Sequence, residues 1–191
     1  MLCLDEMGPV SAKSYPGRQL CPTAPPCTRA KQPTDYGKRG GGFAFGAFAP
    51  ATGAAFVATY ARRNATNWVE FLEAVDAWVA PQIAQVVAIL DNLGAHRGQD
   101  AQLFSLGHAR WRFVFVPKGA AYLNLIEPWW KTLRSLGLKG KRFETWEEVA
   151  GALQEATAYW NGHKHPYVWG RRRRHRRCRH QPYGIARIPR A

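Results

Sequence analysis

Two short apolar runs in this chain, Met1-Leu2-Cys3-Leu4 and Val86-Val87-Ala88-Ile89-Leu90, each stop at an aspartate, Asp5 and Asp91. Unbroken apolar runs of this length belong to strands covered on both faces, which occur in sheets flanked by helices. An ionised carboxylate beside such a strand is unfavourable unless something positive compensates it. A third acid, Glu127, sits in an equally apolar setting, Leu123-Asn124-Leu125-Ile126-Glu127-Pro128-Trp129-Trp130. The fold must therefore accommodate three acids next to its core, and a shared divalent cation is one way to do so.

The remaining pattern alternates strand and helix. Met1 to Glu6 is predicted as a buried strand, and Gly8 to Gly42, interrupted by Pro22, Pro25, Pro26 and Pro33, as a long irregular insertion. Phe43 to Phe48 and Ala54 to Tyr60 flank a Pro50-Ala51-Thr52-Gly53 turn, the pattern of an antiparallel hairpin. Trp68, Phe71, Leu72, Val75, Trp78 and Val79 then recur at helical spacing, with Glu70, Glu73 and Asp76 on the solvated arc. Val86 to Asp91 is a central strand, Gln99 to Ala109 a helix, and Trp111 to Val116 a strand ended by Pro117-Lys118-Gly119. Thr145-Trp146-Glu147-Glu148 is a capping box, followed by a stripe of Trp146, Val149, Ala150, Leu153, Thr157 and Trp160. This is an α/β pattern with a mixed sheet and flanking helices.

At 191 residues and 46% apolar content, the chain can build one full core. Its 27 basic residues against 13 acidic ones give a formal charge of +14, a field suited to a polyanion. Nucleic acid is favoured over a membrane surface, because no apolar stretch approaches the roughly 18 residues of a spanning helix and no amphipathic anchor has a basic face. The N-terminus lacks a secretory pattern, so a cytoplasmic location is expected. Cys3, Cys21, Cys27 and Cys178 have no CxxC spacing; Cys21 and Cys27 are either a metal half-site or plain thiols.

Elimination narrows the acids. Glu70, Glu73, Asp76, Glu147, Glu148 and Glu155 fall on helix surfaces, and Asp35, Asp100 and Glu144 in polar loops or helix ends. Asp5, Glu6, Asp91 and Glu127 remain, and Glu6 points away from Asp5 by strand alternation. If the strands at Asp5 and Asp91 are parallel neighbours, both carboxylates emerge at one sheet edge. Each also has a plain alternative, as a strand-end acid capping a turn. Glu127 is either a third member of the site or an exposed ion-pair partner of Lys131, four residues on.

Three motifs in order, Leu4-Asp5-Glu6-Met7-Gly8-Pro9, Leu90-Asp91-Asn92 with His96, and Tyr122 to Trp130, together resemble the catalytic domain of DDE transposases. The bacterial insertion sequence 630 type of the mariner superfamily is the branch they resemble, and Trp160-Asn161 and His165-Pro166 extend the likeness. The resemblance implies a ribonuclease H-like fold over 1–168, with Asp5, Asp91 and Glu127 as catalytic and metal-binding residues. It implies cleavage and strand transfer at transposon ends with two Mg²⁺ or Mn²⁺ ions about 3.5 to 4 Å apart, hard cations that take oxygen ligands. His96 would contact phosphate or order water, or else be a structural loop histidine. Asn92 and Asn124 would support the carboxylates, or cap helices.

Double-stranded DNA, both transposon ends and target, is the implied partner, bound by a homodimer associated with the bacterial nucleoid. Lys131, Arg134, Lys139, Lys141 and Arg142 share the neighbourhood of Glu127 and are candidate DNA contacts. A basic arm, 169–191, carries Arg171, Arg172, Arg173, Arg174, Arg176, Arg177 and Arg179, and is either a phosphate contact or a solvated tail. Family members carry an N-terminal helix-turn-helix region ahead of the first catalytic strand, whereas this sequence starts at that strand. The expectation is therefore a truncated copy, a second reading frame, or a chain working with a separate N-terminal DNA-binding polypeptide. A catalytically idle nucleic-acid-binding remnant and a ribonuclease H-like nuclease without strand transfer are the competing readings.

Overall fold

The structure is a computed structural model, and it describes residues 1–17, 35–37, 39–91, 99–117 and 119–167. Five strands, β1 (Leu2–Ser11), β2 (Gly41–Ala49), β3 (Ala54–Tyr60), β4 (Val86–Leu90) and β5 (Trp111–Phe115), form one sheet in the order β3-β2-β1-β4-β5. The β1–β2 and β2–β3 pairs are antiparallel, and the β1–β4 and β4–β5 pairs are parallel. Helices α1 (Ala65–Trp78) and α2 (Gln99–Gly107) cover one face, and α3 (Ile126–Gly137) and α4 (Trp146–Gly162) the other.

Strand alternation divides the core between these faces. Leu2 and Leu4 join Trp68, Phe71, Leu72 and Val75 of α1, while Cys3 and Met7 join Ile126, Trp129 and Leu133 of α3. The helix patterns were fixed locally. Asn64 caps α1 by accepting the Asn67 N–H at 2.8 Å, and Thr145 caps α4 by accepting the Glu148 N–H at 3.3 Å. Pro128 falls in the first turn of α3, where its missing N–H costs no intrahelical bond.

Two expectations are corrected. β1 does not end near Glu6; it continues to Ser11, with Val10 and Ser11 paired to Gly42 and Gly41 across an irregularity after Met7. Its backbone partner is a distant strand, so Gly8-Pro9 interrupts the register without ending the strand. Asp76, assigned to solvent, instead holds β5 onto α1. Its carboxylate accepts Arg110 Nε at 2.7 Å and Trp111 Nε1 at 2.6 Å.

The Trp160-Asn161 and His165-Pro166 signatures close the opposite edge of the sheet. Asn161 brackets Ala55 of the edge strand β3, accepting its N–H at 2.9 Å and donating to its carbonyl at 2.7 Å. This occupies backbone groups that an edge strand otherwise leaves open. Trp160 Nε1 donates to the Gly53 carbonyl at 2.7 Å, and the His165 backbone lies where a Cβ on Gly53 would be. Gly53 also has φ 76°, so no other residue fits this turn without strain.

Candidate acidic active site

Asp5 lies inside β1, at the point where the parallel partner runs out. Leu2 pairs with Ala88 and Cys3 with Ile89, and the same offset carried forward sets Asp5 level with Asp91, just past the end of β4. By alternation Asp5 shares its face with Cys3 and Met7, and Asp91 shares the face of Ile89, which packs against the α3–α4 core. That face is where α3 begins, with Glu127 exposed in its first turn. Glu6 lies on the alternate face, as predicted.

The helix can approach Asp5 because of a glycine. Gly46 is paired directly with Asp5 on β2, and a Cβ there would meet the Trp130 ring and the Ile126 side chain. With hydrogen in its place, the first turn of α3 settles on the strand beside the aspartate. Burial of Ile126, Trp129, Trp130 and Leu133 then holds it there, each side chain contributing about 1.5–3 kcal/mol.

Asp5 is 7% exposed, and its carboxyl is pushed up to about 7. Burial is the main cause, and the charges of Glu127, Glu6 and Asp91 add to it. The Glu6 backbone N–H, donating to Oδ1 at 2.8 Å, offsets part of the rise. Among the described residues no ion pair holds Asp5, and none joins Glu127 to Lys131. Asp5 thus meets other acids here, and the Glu6 N–H is the donor its carboxylate is given.

Asn124 ties the strand to the helix. It is buried, its Nδ2 donates to the Leu4 carbonyl at 2.9 Å, and its backbone carbonyl accepts the Glu127 N–H at 3.2 Å. One residue thus touches the neighbours of Asp5 and the start of the Glu127 helix. Its Oδ1 is buried and has no donor among the described residues. Carboxylates that repel one another and an unsatisfied amide oxygen form a hard-oxygen donor set, which suits a cation such as Mg²⁺ or Mn²⁺. Among the described residues, no three of His, Cys, Asp and Glu converge into a finished metal cage.

The basic candidates are all exposed: Lys131 and Arg134 lie on α3, while Lys139, Lys141 and Arg142 follow its far end, on the connection to α4, away from Glu127 in the first turn. Arg142 is engaged by Glu144 at 2.6 Å, so it is not equivalent to the others. Asn92, His96 and the arginines from Arg171 to Arg179 lie outside the described residues, as do Cys21, Cys27 and Cys178. Cys3 is a buried thiol. Among the described residues no helix is long and apolar enough to cross a membrane.

A mixed five-stranded sheet covered by helices on both faces is the arrangement of the ribonuclease H-like fold, and solved structures share that fold. The chain is similar to a structure described as Mos1 transposase paired-end complex with left transposon end, with TM-score 0.59 and 15% identity over 84% of this chain and 50% of that one. It is also similar to the Mos1 strand transfer complex, with TM-score 0.50 and 15% identity over 83% of this chain and 48% of that one. A third similar structure is the Mos1 mariner paired end complex with Mn, with TM-score 0.50 and 13% identity over 83% of this chain and 53% of that one. The chain therefore spans about half the length of these proteins. No curated protein matches it. A family model described as DDE superfamily endonuclease matches residues 1–150, and the chain belongs to that family. The narrower insertion sequence 630 assignment rests on the sequence motifs alone.

Proposed function

We propose that this chain performs metal-dependent DNA strand cleavage and strand transfer at transposon ends, with Asp5, Asp91 and Glu127 as its catalytic and metal-binding carboxylates. The observation that carries the reading is Asp5. A buried acid, held protonated to about pH 7 by burial and by other acids, has no structural role that a neutral residue would not fill better. Family membership and the fold shared with Mos1 complexes support the substrate.

Two Mg²⁺ or Mn²⁺ ions, when bound, would activate a water or DNA 3′-hydroxyl and stabilise the oxygen that leaves in an in-line displacement. The chain's own part is to aim the ligands. β1 fixes Asp5, the end of β4 fixes Asp91, and Asn124 sets the first turn of α3, and hence Glu127, against Leu4. Asp5 would have to lose its proton to hold a cation, so affinity for the ion would rise with pH up to about 7. Lys131, Arg134, Lys139 and Lys141, all exposed, lie where DNA phosphates would run, with Arg142 contributing once released from Glu144. The arm 169–191 adds further phosphate contacts to the catalytic domain of 1–168. Assembly on DNA as a homodimer, in the cytoplasm and on the nucleoid, follows from the same reading.

The test is cleavage and joining of a nicked or pre-cleaved end duplex by the purified chain in Mg²⁺ or Mn²⁺. Asp5→Asn, Asp91→Asn and Glu127→Gln should each remove several kcal/mol of transition-state stabilisation, about a thousandfold in rate, and leave duplex binding within about twofold. Cleavage without joining would favour the nuclease reading. Near-parental cleavage by the Glu127→Gln protein would return that residue to the helix surface.

A further inference from the structure

Most described arginines near an acid are paired with one: Arg39 with Asp35 and Glu144, Arg110 with Asp76, and Arg142 with Glu144. Two cations break this pattern while lining the same cleft. Lys13, beyond the end of β1, and Arg134, in the last turn of α3, face a recess of about 180 Å³ whose other walls include Ser11, Tyr15 and Leu138. Among the described residues neither has an acidic partner.

The cleft is built rather than incidental. Tyr15 donates its hydroxyl to the Ser11 carbonyl at 2.7 Å, and Lys13 Nζ sits 5.5 Å from the centre of the Tyr15 ring, so the aromatic face orients the ammonium. The Arg134 guanidinium is anchored at one corner only, Nε donating to Met7 Sδ at 3.2 Å, a weak acceptor. Its two terminal nitrogens make no hydrogen bond among the described residues and remain available for a bidentate oxyanion. The loop after α3 locks the floor: Tyr15 N–H donates to Lys141 at 2.8 Å, and Gly140 N–H donates to Tyr15 at 2.8 Å.

We propose that Lys13 and Arg134 clasp one phosphate of the nucleic-acid strand leading away from the acidic site, with Tyr15 positioning Lys13. The inference rests on the nucleic-acid reading and adds a subsite to it. Arg134 is seven residues from Glu127 on α3, about 10 Å at 1.5 Å per residue. That is roughly three base-pair steps of 3.4 Å measured along a duplex axis, close enough for one strand to occupy both places. A phosphate held here fixes which bond lies over the carboxylates.

The test compares the full chain with the Lys13→Gln/Arg134→Gln protein, and with an Arg62→Gln/Arg63→Gln control of equal charge placed beyond β3 at the far sheet edge. Duplex affinity is measured by fluorescence anisotropy against salt concentration. Loss of one phosphate contact should lower the log-log slope by about 0.9, close to tenfold in affinity at 0.1 M salt, in the first protein and not in the control. In parallel, inorganic phosphate titrated into the parent should shift the Arg134 Nε–Hε NMR signal, and do so in Tyr15→Phe only at higher concentration. An unchanged slope, or an equal loss in the control, would overturn the cleft while leaving DNA binding intact. A parent that shifts with phosphate but binds no duplex would overturn the nucleic-acid source and leave an anion site. A parent that does neither would overturn both.

Discussion

Asp5 and Asp76 are both acids drawn partly out of water, one on each side of the sheet, and they are treated in opposite ways. Burial raises both. At Asp76, hydrogen bonds from Trp111 and Arg110 outweigh it, aided by the Arg110 charge, and the carboxyl ends below its usual range. At Asp5 only one backbone N–H helps, Glu127, Glu6 and Asp91 push the same way as burial, and the carboxyl ends near 7. The chain thus satisfies a half-buried acid completely where the role is to join β5 to α1. The contrast teaches that Asp5, buried among acids with no ion pair of its own among the described residues, is kept for something other than joining elements of the fold.

The comparison breaks most readily at its compensated side. Asp76→Ala leaves Arg110 and the Trp111 indole without their acceptor and should cost about 3 kcal/mol, seen as a fall of roughly 6 to 12 °C in melting temperature. A fall under 2 °C would mean that the pair is ornamental. Next in size is Asn124→Ala. Removing the bond to Leu4 should cost about 2 kcal/mol by thermal melting, and it should slow cleavage by far more than that loss of stability explains, because the spacing of Asp5 and Glu127 loosens.

Asp5→Asn should act in the other direction when metal is absent. A folded-state value near 7 against an ordinary 3.8 means that the folded chain holds a proton which the unfolded chain has already lost. The contribution of Asp5 to stability is therefore fully present below about pH 4 and is lost as pH rises through about 7, by up to roughly 4 kcal/mol. The asparagine protein lacks that slope. Since a buried amide has its own desolvation cost, a net gain of about 1 to 2 kcal/mol at pH 8 in EDTA is expected, with no gain at pH 4. The smallest effect belongs to Glu127→Gln, which is exposed: about 0.5 kcal/mol of stability or less, despite the loss of cleavage.

The α/β order, the hairpin, α1 and α4 were legible because their signals are local: helical spacing, a turn glycine, a capping threonine. The candidate acids were legible too, since a carboxylate inside an apolar run is visible without a structure. The continuation of β1 through Gly8-Pro9 was not, because the strand that sustains it, β2, starts three tens of residues later at Gly41. The same blindness hid the partner of Asp76, which looks like any helix-surface acid until Arg110 is folded against it. Lys13 is illegible for a related reason: its stretch carries the sequence pattern of an irregular insertion, and only the folding of α3 onto β1 brings Arg134 to it.

The most direct test is the metal-linked melting temperature of the parent and of Asp5→Asn across pH. For a dissociation constant of about 1 mM, 10 mM Mg²⁺ should stabilise the parent by about 1.4 kcal/mol at pH 8, a rise of roughly 3 to 6 °C. The rise should shrink toward pH 5, where Asp5 keeps its proton, and the Asp5→Asn protein should respond by less than half as much at pH 8. An equal response in both proteins, or none in the parent at any pH, would contradict the claim that Asp5, Asp91 and Glu127 serve a shared metal.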